Sequence, residues 1–247
     1  MVPTVLVFGG LDPSGGAGLA ADIAAIGALG AHALPVATAL TVQDNNRVYE
    51  VQPVDAAFVV RQAAALIDTC DIHAVKIGIP GSRDNAAAIA ALLGRLRARL
   101  PALPVVLDPV LASGHGDPLG RGNALQALAP LLPLATVLVP NLPEALALGS
   151  VSCEHVLVTG GHGDGDLVVN RWLRGGIVQR SWQLPRLPHA YHGSGCTLAS
   201  AIAARLALGD PVEPALERAQ HYCHQTLAHA FQVAPGQRIP RRIFQPH

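Results

Sequence analysis

Hydrophobic residues along this chain occur in short runs that alternate with longer periodic runs. The short, β-branched runs predict strands at residues 4–10, 34–41, 73–78, 104–107, 136–139 and 155–158. Between them, segments rich in Ala and Leu have helical periodicity, and several begin at an Asp, Ser or Asn cap or at an early Pro. The predicted helices span residues 15–30, 55–70, 82–100, 118–132 and 141–148. This alternation predicts an α/β fold with a mainly parallel sheet flanked by helices.

The second half of the chain departs from the alternation. Residues 166–184 contain two alternating runs around Gly175 and Gly176, which predicts a β-hairpin. Two more helices are predicted near residues 195–208 and 211–231, and the tail from about residue 235 is expected to be loosely held. The 247 residues contain no repeat and no linker-like segment, so we expect a single domain over residues 1–247.

Composition and charge narrow the function classes. The 17 basic and 17 acidic residues balance, and the basic residues are scattered, so we expect neither nucleic acid nor membrane as a partner. The chain starts without a basic leader and has no run that could span a bilayer, which favours a cytoplasmic protein that acts on a small molecule. Its cysteines, Cys70, Cys153, Cys196 and Cys223, lack metal-ligand spacing and are expected to be separate thiols.

Unusual residues follow five of the predicted strands. They are "GGLDPSGGAG", "TVQDN", "KIGIP", "LDPV" and "VPNLPEA", in that order. In open α/β sheets the ligand lies at the carboxyl ends of the strands, so these segments are candidates for a binding site. Each segment taken alone is equally explained by turns, helix caps and solvent-facing polar residues.

Two glycine-rich segments suggest anion binding in different ways. The segment "PSGGAG" continues as Gly18-Leu19-Ala20 and lacks the Gly-Lys-Ser/Thr of a P-loop, so a P-loop is not expected. The segment "HGSGCT", residues 192–197, precedes a predicted helix. Free backbone N–H groups and the positive end of the helix dipole make such a turn attractive to anions, and a cysteine stands in its mouth.

Taken together, these motifs resemble the hydroxymethylpyrimidine/phosphomethylpyrimidine kinases of thiamine biosynthesis, in the ribokinase-like superfamily. The similar segments, over roughly residues 4–210, are "GGLDPSGGAGLAADI", "ALTVQ", "VKIGI", "VVLDPV", "VPNLPEA", "VLVTGGH" and "HGSGCTLASAIAA". The resemblance implies a three-layer ribokinase-like fold. It also implies ATP-dependent phosphorylation of 4-amino-5-hydroxymethyl-2-methylpyrimidine, and of its monophosphate as a further expectation, with Mg²⁺ as cofactor.

The resemblance places a pyrimidine pocket along the first of these motifs. Gly10 and Ala17 are small enough to admit a ring, and Gln43 offers both a donor and an acceptor to an aminopyrimidine. For Ile79 and Val110, an ordinary position in the hydrophobic core is an equally good explanation. The predicted substrate-binding residues are Gly10, Asp12, Ala17, Gln43, Ile79 and Val110.

The phosphate side contains two carboxylates and three nucleotide candidates. Mg²⁺ is held by one or two carboxylates together with waters and phosphates, and Asp108 and Glu144 each follow a predicted strand. Helix caps or surface carboxylates are the alternative for this pair. The resemblance assigns Asn141, Thr159 and Gly161, in motifs that vitamin kinases share, to nucleotide binding.

The turn at residues 193–196 is the predicted catalytic segment. Backbone N–H groups of Gly193, Ser194, Gly195 and Cys196 can stabilise charge that develops in the transition state, while a base takes the hydroxyl proton. Cys196 is the candidate base, and the helix N-terminus is expected to lower its pKa from ~8.5 toward roughly 7 or below, against the effect of nearby phosphate. The alternative is a small residue that packs the start of the helix.

Two departures from the family pattern concern phosphate binding. Lys76 is the only lysine, whereas relatives commonly have one at Thr159 and another in the loop matched by "LASGHGD". Arg121, His115 or Lys76 are candidates to compensate. The connection at residues 149–154 is also short, because relatives insert a helix there.

These departures keep two other functions open. A pyridoxal-type kinase is one alternative, since pyridoxal is also a flat heteroaromatic ring with a CH₂OH group. A catalytically weak pyrimidine-binding or regulatory protein is the other. Relatives commonly pair through a strand-bearing flap, so the run at residues 46–52 makes a homodimer a further expectation.

Overall fold

The computed structural model describes residues 1–111 and 124–243, and a nine-stranded sheet forms its centre. All six predicted strands and the predicted hairpin are present. The strands are β1 (Thr4–Leu11), β2 (His32–Gln43), β3 (Val48–Pro53), β4 (Ala74–Ile77), β5 (Val105–Leu107), β6 (Val137–Leu138), β7 (His155–Val158), β8 (Leu167–Arg174) and β9 (Ile177–Pro185).

The strand order is β3-β2-β1-β4-β5-β6-β7-β8-β9. The six strands from β2 to β7 in this order pair in parallel, whereas β3, β8 and β9 pair antiparallel at the two edges. The prediction of a mainly parallel sheet is therefore confirmed. As a consequence, six consecutive strands end at the same edge of the sheet and can present their following residues to one site.

The helices follow from local capping chemistry. Asp55 and Ser82 accept hydrogen bonds from the first turns of α2 and α3, and Asn141 with Glu144 forms a reciprocal capping box on α5. None of the described helices is both long and apolar enough to cross a bilayer. They are α1 (Gly18–Ala28), α2 (Ala56–Ile67), α3 (Arg83–Arg99), α4 (Ala124–Leu128), α5 (Leu142–Leu148), α6 (Ser194–Ala207) and α7 (Val212–Ala228).

One predicted helix is wrong at its C-terminal end. The segment expected to be helical over residues 118–132 is helical only at Ala124–Leu128, and its residues before 124 lie outside the described part of the chain. Pro130 and Pro133 explain the early end, because proline has no amide hydrogen to donate and disfavours helical backbone in the residue before it. A short 3₁₀ turn at Leu132–Leu134 follows instead.

The core lies on both faces of the sheet, as alternation along β1 requires. Val5 and Val7 pack in one apolar cluster with α1, α6 and α7, and Leu6 and Phe8 pack in a second cluster with α2 and α3. These four side chains are at most 1% exposed. The arrangement gives the three layers that were predicted: helices, sheet, helices.

The expectation of a loose tail is wrong for the tail residues that the structure describes. Arg238 pairs with Tyr191, and Ile239 pairs with Phe231 through reciprocal backbone hydrogen bonds. Ile239 and Arg242 are each only 4% exposed. The tail therefore packs against the body of the protein, because it contributes both an apolar side chain and buried hydrogen bonds; residues 244–247 lie outside the described part.

Candidate active site

A cavity of about 530 Å³ opens at the carboxyl ends of the parallel strands. Segments that are far apart in sequence meet in this cavity, as expected for motifs that follow the strands of one sheet. Every predicted site residue except Asp12 lines it, namely Gly10, Ala17, Gln43, Ile79, Asp108, Val110, Asn141, Glu144, Thr159, Gly161, Gly193, Ser194, Gly195 and Cys196.

One wall of the cavity is narrow and mostly apolar. A Cβ atom at Gly10 would lie only 2.6 Å from Cδ1 of Ile79, so a larger residue at position 10 would clash with Ile79 unless that side chain moved. Val110 is half-buried beside this wall, and Gln43 reaches it from the end of β2. The wall thus combines a flat apolar slot with one side-chain amide, which suits a small polar ring.

Asp12 lies behind this wall and does not line the cavity. Its carboxylate accepts hydrogen bonds from the backbone N–H groups of Ser14 and Ala17, both at 2.7 Å, and from the Ser14 hydroxyl at 2.9 Å. The ring of His192 completes the set, with Nε2 2.8 Å from Oδ2. Asp12 therefore shapes the loop that holds Ala17, which corrects its predicted position in the substrate pocket.

Asp108 and Glu144 meet at the floor of the cavity. Oδ2 of Asp108 is buried without a hydrogen-bond partner, and burial raises the pKa of this carboxyl to about 6 although Lys76 opposes the shift. Glu144 accepts hydrogen bonds from the backbone N–H groups of Asn141, at 2.9 Å, and Leu111, at 3.4 Å. Burial and the nearby Asp108 raise the pKa of Glu144 to about 7. Two buried carboxylates, one of which raises the proton affinity of the other, form a site that favours a cation.

This pair suits Mg²⁺ better than a metal held entirely by protein ligands. Within residues 1–111 and 124–243, no group of three or more His, Cys, Asp or Glu side chains is arranged to hold a metal ion. Mg²⁺ does not need such a group, because it binds through one or two carboxylates and completes its shell with water and substrate phosphates. The partnerless oxygen of Asp108 is the feature that a cation would satisfy.

The N-terminal turn of α6, at residues 193–196, lies against this carboxylate. Oδ2 of Asp108 lies 3.8 Å from the position that a Cβ atom of Gly195 would occupy. The turn is closed by Gly193, whose φ of +81° lies in the region that favours glycine, and a side chain there would collide with the carbonyl oxygen of Gly16. The first N–H groups of α6 have no partner within the helix, so they are available to an anion.

Cys196 lies in this turn, half-buried against the cavity. Burial raises the pKa of its thiol to about 11, Lys76 opposes the shift, and the carboxylates of Asp22 and Asp108 add to it. The expectation that the helix N-terminus lowers this pKa is therefore wrong for the ligand-free site. The thiol is protonated at neutral pH. All four cysteines are free, as predicted.

Lys76 does not provide a free charge for phosphate. Its Nζ lies 2.8 and 3.0 Å from the two carboxylate oxygens of Asp22, and Ser200 donates a hydrogen bond to the same carboxylate at 2.6 Å. Lys76 is 1% exposed and Asp22 is fully buried. This pairing neutralises the lysine that was a candidate to compensate for the missing ones. The other two candidates, Arg121 and His115, lie outside the described residues.

The predicted nucleotide residues come together on the far side of the carboxylates. Asn141 and Thr159 form a parallel bridge between the segments that follow β6 and β7, and Gly161 lies close behind. Arg186, which the sequence did not single out, lines the same region and donates hydrogen bonds to the carbonyl oxygens of Gly161, at 2.8 Å, and Gly165, at 2.6 Å. It holds the glycine-rich loop after β7 in place.

Comparisons with known proteins agree with this geometry. The family model described as phosphomethylpyrimidine kinase matches residues 12–240. The hydroxymethylpyrimidine/phosphomethylpyrimidine kinase of Rhizobium meliloti is 36% identical over 96% of this chain and 95% of its own length. The protein of the same name from Streptomyces coelicolor is 35% identical over 95% and 92%.

Solved structures show the same fold. An ADP complex of Bacillus subtilis pyridoxal kinase superimposes with a TM-score of 0.84 over 98% of both chains at 24% identity, which is a likeness of fold. A phosphomethylpyrimidine kinase from Clostridium difficile gives a TM-score of 0.70 at 28% identity, over 91% of this chain and 98% of its own. The ribokinase-like fold is therefore confirmed. With the family model and the full-length relatives, these findings show that the chain belongs to the phosphomethylpyrimidine kinase family.

Proposed function

We propose that this protein uses ATP to phosphorylate the hydroxymethyl group of 4-amino-5-hydroxymethyl-2-methylpyrimidine, and then the resulting monophosphate, in thiamine biosynthesis. One observation carries the proposal. The partnerless carboxylate oxygen of Asp108 faces the anion-binding turn at Gly195, and a narrow apolar slot with a single amide adjoins them. The names of the full-length relatives support the same substrate.

The substrate ring is proposed to lie in the slot formed by Gly10, Ala17, Ile79 and Val110. Gln43 would pair with the ring nitrogen and the exocyclic amine, because its amide offers one donor and one acceptor face at the slot's edge. This orientation directs the hydroxymethyl group toward the turn at residues 193–196. Asp12 supports the slot indirectly, by fixing the loop that carries Ala17.

Asp108 and Glu144 are proposed to hold Mg²⁺, which when bound neutralises charge on the nucleotide phosphates. Burial raises the pKa values of both carboxyl groups, and a bound cation would offset the same cost of burying their charges. Glu144→Gln should therefore impair Mg²⁺-dependent turnover more than it impairs pyrimidine binding. Identical Mg²⁺ titration curves for this variant and the wild type would contradict the assignment.

The backbone N–H groups of the turn and the side chain of Cys196 are proposed to have separate roles in phosphoryl transfer. The N–H groups of Gly193, Ser194, Gly195 and Cys196 are proposed to donate hydrogen bonds to the phosphoryl oxygens as charge develops. The thiolate form of Cys196 is proposed to take the hydroxyl proton. Neutralisation of Asp108 in the loaded site removes one of the charges that raise the pKa of this thiol, so a larger fraction is present as the thiolate that can act as base.

ATP is proposed to bind along Asn141, Thr159 and Gly161. These residues follow β6 and β7 and lie beyond the carboxylates as seen from the pyrimidine slot. The Bacillus subtilis neighbour was solved as an ADP complex, which supports a nucleotide on this fold. Since segments that follow the strands of one sheet, together with the N-terminus of α6, supply every residue named, we propose that residues 1–247 act as one kinase unit. A homodimer through the run at residues 46–52 and a cytoplasmic location stay predictions.

The test is a direct comparison of acceptors. Purified protein with Mg²⁺ and ATP should phosphorylate the hydroxymethylpyrimidine, and kcat/KM should be higher for it than for pyridoxal. Greater kcat/KM for pyridoxal would replace the proposal with a vitamin B6 kinase. Tight pyrimidine binding by calorimetry without ATP turnover would leave a binding or regulatory protein.

A further inference from the structure

The side chain of Arg242 reaches from the C-terminal segment into the body of the protein, behind the cavity. It is 4% exposed, and its guanidinium donates hydrogen bonds to the carbonyl oxygen of Gly16 and, at 2.9 Å, to the hydroxyl oxygen of Thr197. Two longer hydrogen bonds reach the carbonyl oxygens of Gly193, at 3.4 Å, and Gly15, at 3.5 Å. Four oxygens from two different loops thus converge on one side chain.

These oxygens belong to the two turns that form the proposed site. Gly15 and Gly16 lie in the loop that leads to Ala17, and Gly193 and Thr197 flank the anion-binding turn. The turns touch through bare backbone, since a Cβ atom at Gly193 would collide with the oxygen of Gly16. Because glycines meet at this contact, few side-chain atoms are there to fix the distance between the two turns. On the side of the contact where Arg242 lies, its guanidinium is the principal polar link between them.

The charge of Arg242 also differs from that of Lys76. Lys76 is neutralised by Asp22, whereas the hydrogen-bond partners given above for Arg242 are all neutral oxygens. Arginine keeps its positive charge when buried, because its pKa lies far above neutrality. A buried positive charge directly behind the turn favours an anion in front of it. The chain has no lysine at the two positions where relatives commonly have one for phosphate binding. A buried positive charge near the turn therefore has a larger part in attracting phosphate here.

We propose that Arg242 is a positioning residue for phosphoryl transfer, which holds the pyrimidine loop and the anion-binding turn at a fixed separation and adds positive potential behind that turn. This proposal rests on the proposed function, because it names the residue that orients that function's catalytic turn. Arg242 does not touch the substrates. Its effect should therefore appear in the rate of the chemical step, which depends on the orientation of the N–H donors, more than in substrate affinity.

The test uses the full-length protein with Arg242→Met and a matched control, Arg241→Met. Arg241 is the neighbouring arginine; it is exposed, lies over the ring of Phe231 and contacts the oxygen of His229, away from the cavity. For Arg242→Met we expect kcat to fall by roughly 10²-fold, comparable to the loss of one transition-state donor, with the KM of pyrimidine and ATP within about threefold of wild type. The control should keep wild-type values.

The conservative variant separates positioning from simple loss of stability. Arg242→Lys keeps the charge with fewer donors, so its kcat should lie between those of wild type and Arg242→Met when all are measured well below their unfolding temperatures. If Arg242→Met does not fold, Arg242→Gln takes its place. An unchanged kcat in the neutral variant, or a Lys variant no better than the neutral one, would overturn the proposal. A wild-type protein without turnover would instead contradict the proposed function.

Discussion

Nε2 of His192 lies 2.8 Å from Oδ2 of Asp12, so the residue before the turn at residues 193–196 is paired with the loop that carries Ala17. Although burial opposes the shift, hydrogen bonds from His192, Ser14 and Ala17 lower the pKa of Asp12 below its ordinary value. A carboxyl with a lowered pKa stabilises the native state above the ordinary value, and this contribution disappears as pH falls through the lowered one.

Replacing the carboxylate tests this pairing. Asp12→Asn should reduce the free energy of unfolding at pH 7 by about 1–3 kcal/mol, because an amide cannot accept all the hydrogen bonds that the carboxylate accepts. It should also weaken the acid-induced loss of stability below pH 4. Chemical unfolding at pH 7 and pH 3 measures both effects, with Asp71→Asn, an exposed aspartate, as the control. Parallel pH profiles for wild type and Asp12→Asn would contradict the role.

The two carboxylates at the floor should destabilise the metal-free protein at high pH. Folding raises the pKa of Asp108 from 3.8 to about 6 and that of Glu144 from 4.5 to about 7. The native state therefore binds more protons than the unfolded chain over that range, and stability falls as pH rises through it.

Removing the charge of Asp108 should restore the stability that the metal-free protein loses at high pH. In the presence of a chelator at pH 8, Asp108→Asn should raise the free energy of unfolding by on the order of 2 kcal/mol, and in a separate assay with Mg²⁺ and ATP it should abolish turnover. At pH 5 the gain in stability should be smaller. Thermal unfolding at the two pH values measures the difference; a variant less stable than wild type at pH 8 would show that Asp108 is structural.

Gln43 should determine affinity for the aminopyrimidine. Gln43→Leu removes the amide at the edge of the slot and leaves the polar edge of the ring without partners, so the Kd should rise by about tenfold or more. Calorimetry with the pyrimidine alone gives this value. Gln52→Leu, on the exposed side of β3 and outside the cavity, is the matched control. Equal affinities for both variants would place Gln43 outside the recognition surface.

Cys196 should matter for the first phosphorylation more than for the second. If the thiolate of Cys196 takes the hydroxyl proton, Cys196→Ser lowers the first rate by roughly 10²–10⁴-fold. In the second step the acceptor is a phosphate oxygen, which is already deprotonated near neutral pH and needs no base. Both rates are measured at saturating Mg²⁺ and ATP, with Cys70→Ser as the control because Cys70 lies outside the cavity. Equal losses in the two rates would limit Cys196 to packing.

Thr159 offers a gain-of-function test of the missing lysine. Thr159 is half-buried and lines the cavity on the side where ATP is proposed to bind. Thr159→Lys should lower the KM for ATP several-fold by adding a charge at the phosphates, whereas the uncharged Thr159→Met should not. A rise in KM for both variants would mean that the site has no place for the lysine. Initial rates over a range of ATP concentrations decide the matter.

The strands and the position of the site were predictable because both depend on periodic or local signals. Short β-branched runs located β1 and β7 to within a residue. Parallel pairing of the strands brought Asp108, Asn141 and Thr159 to one edge of the sheet. Capping residues such as Ser82 predicted where helices begin. These features need only a few neighbouring residues to be recognised.

The polar contacts that support the site were not predictable in the same way. Lys76 with Asp22 and His192 with Asp12 pair over large sequence separations, and no periodicity links their members. The pKa of Cys196 depends on burial among those same charges, so the helix N-terminus alone gave the wrong direction. Arg242 lies in a tail that was expected to be loosely held, and only the buried hydrogen-bond partners of its side chain show that it is fixed.

The hydrogen bond between Arg242 and Gly16 joins residues 226 positions apart. A contact that closes so long a loop is favourable only when the strands between its ends bring those ends together. A fragment that lacks either end of the chain therefore cannot form this link. A ligand that binds only the native state adds to the free energy of unfolding, so bound substrate should stabilise the whole cooperative unit.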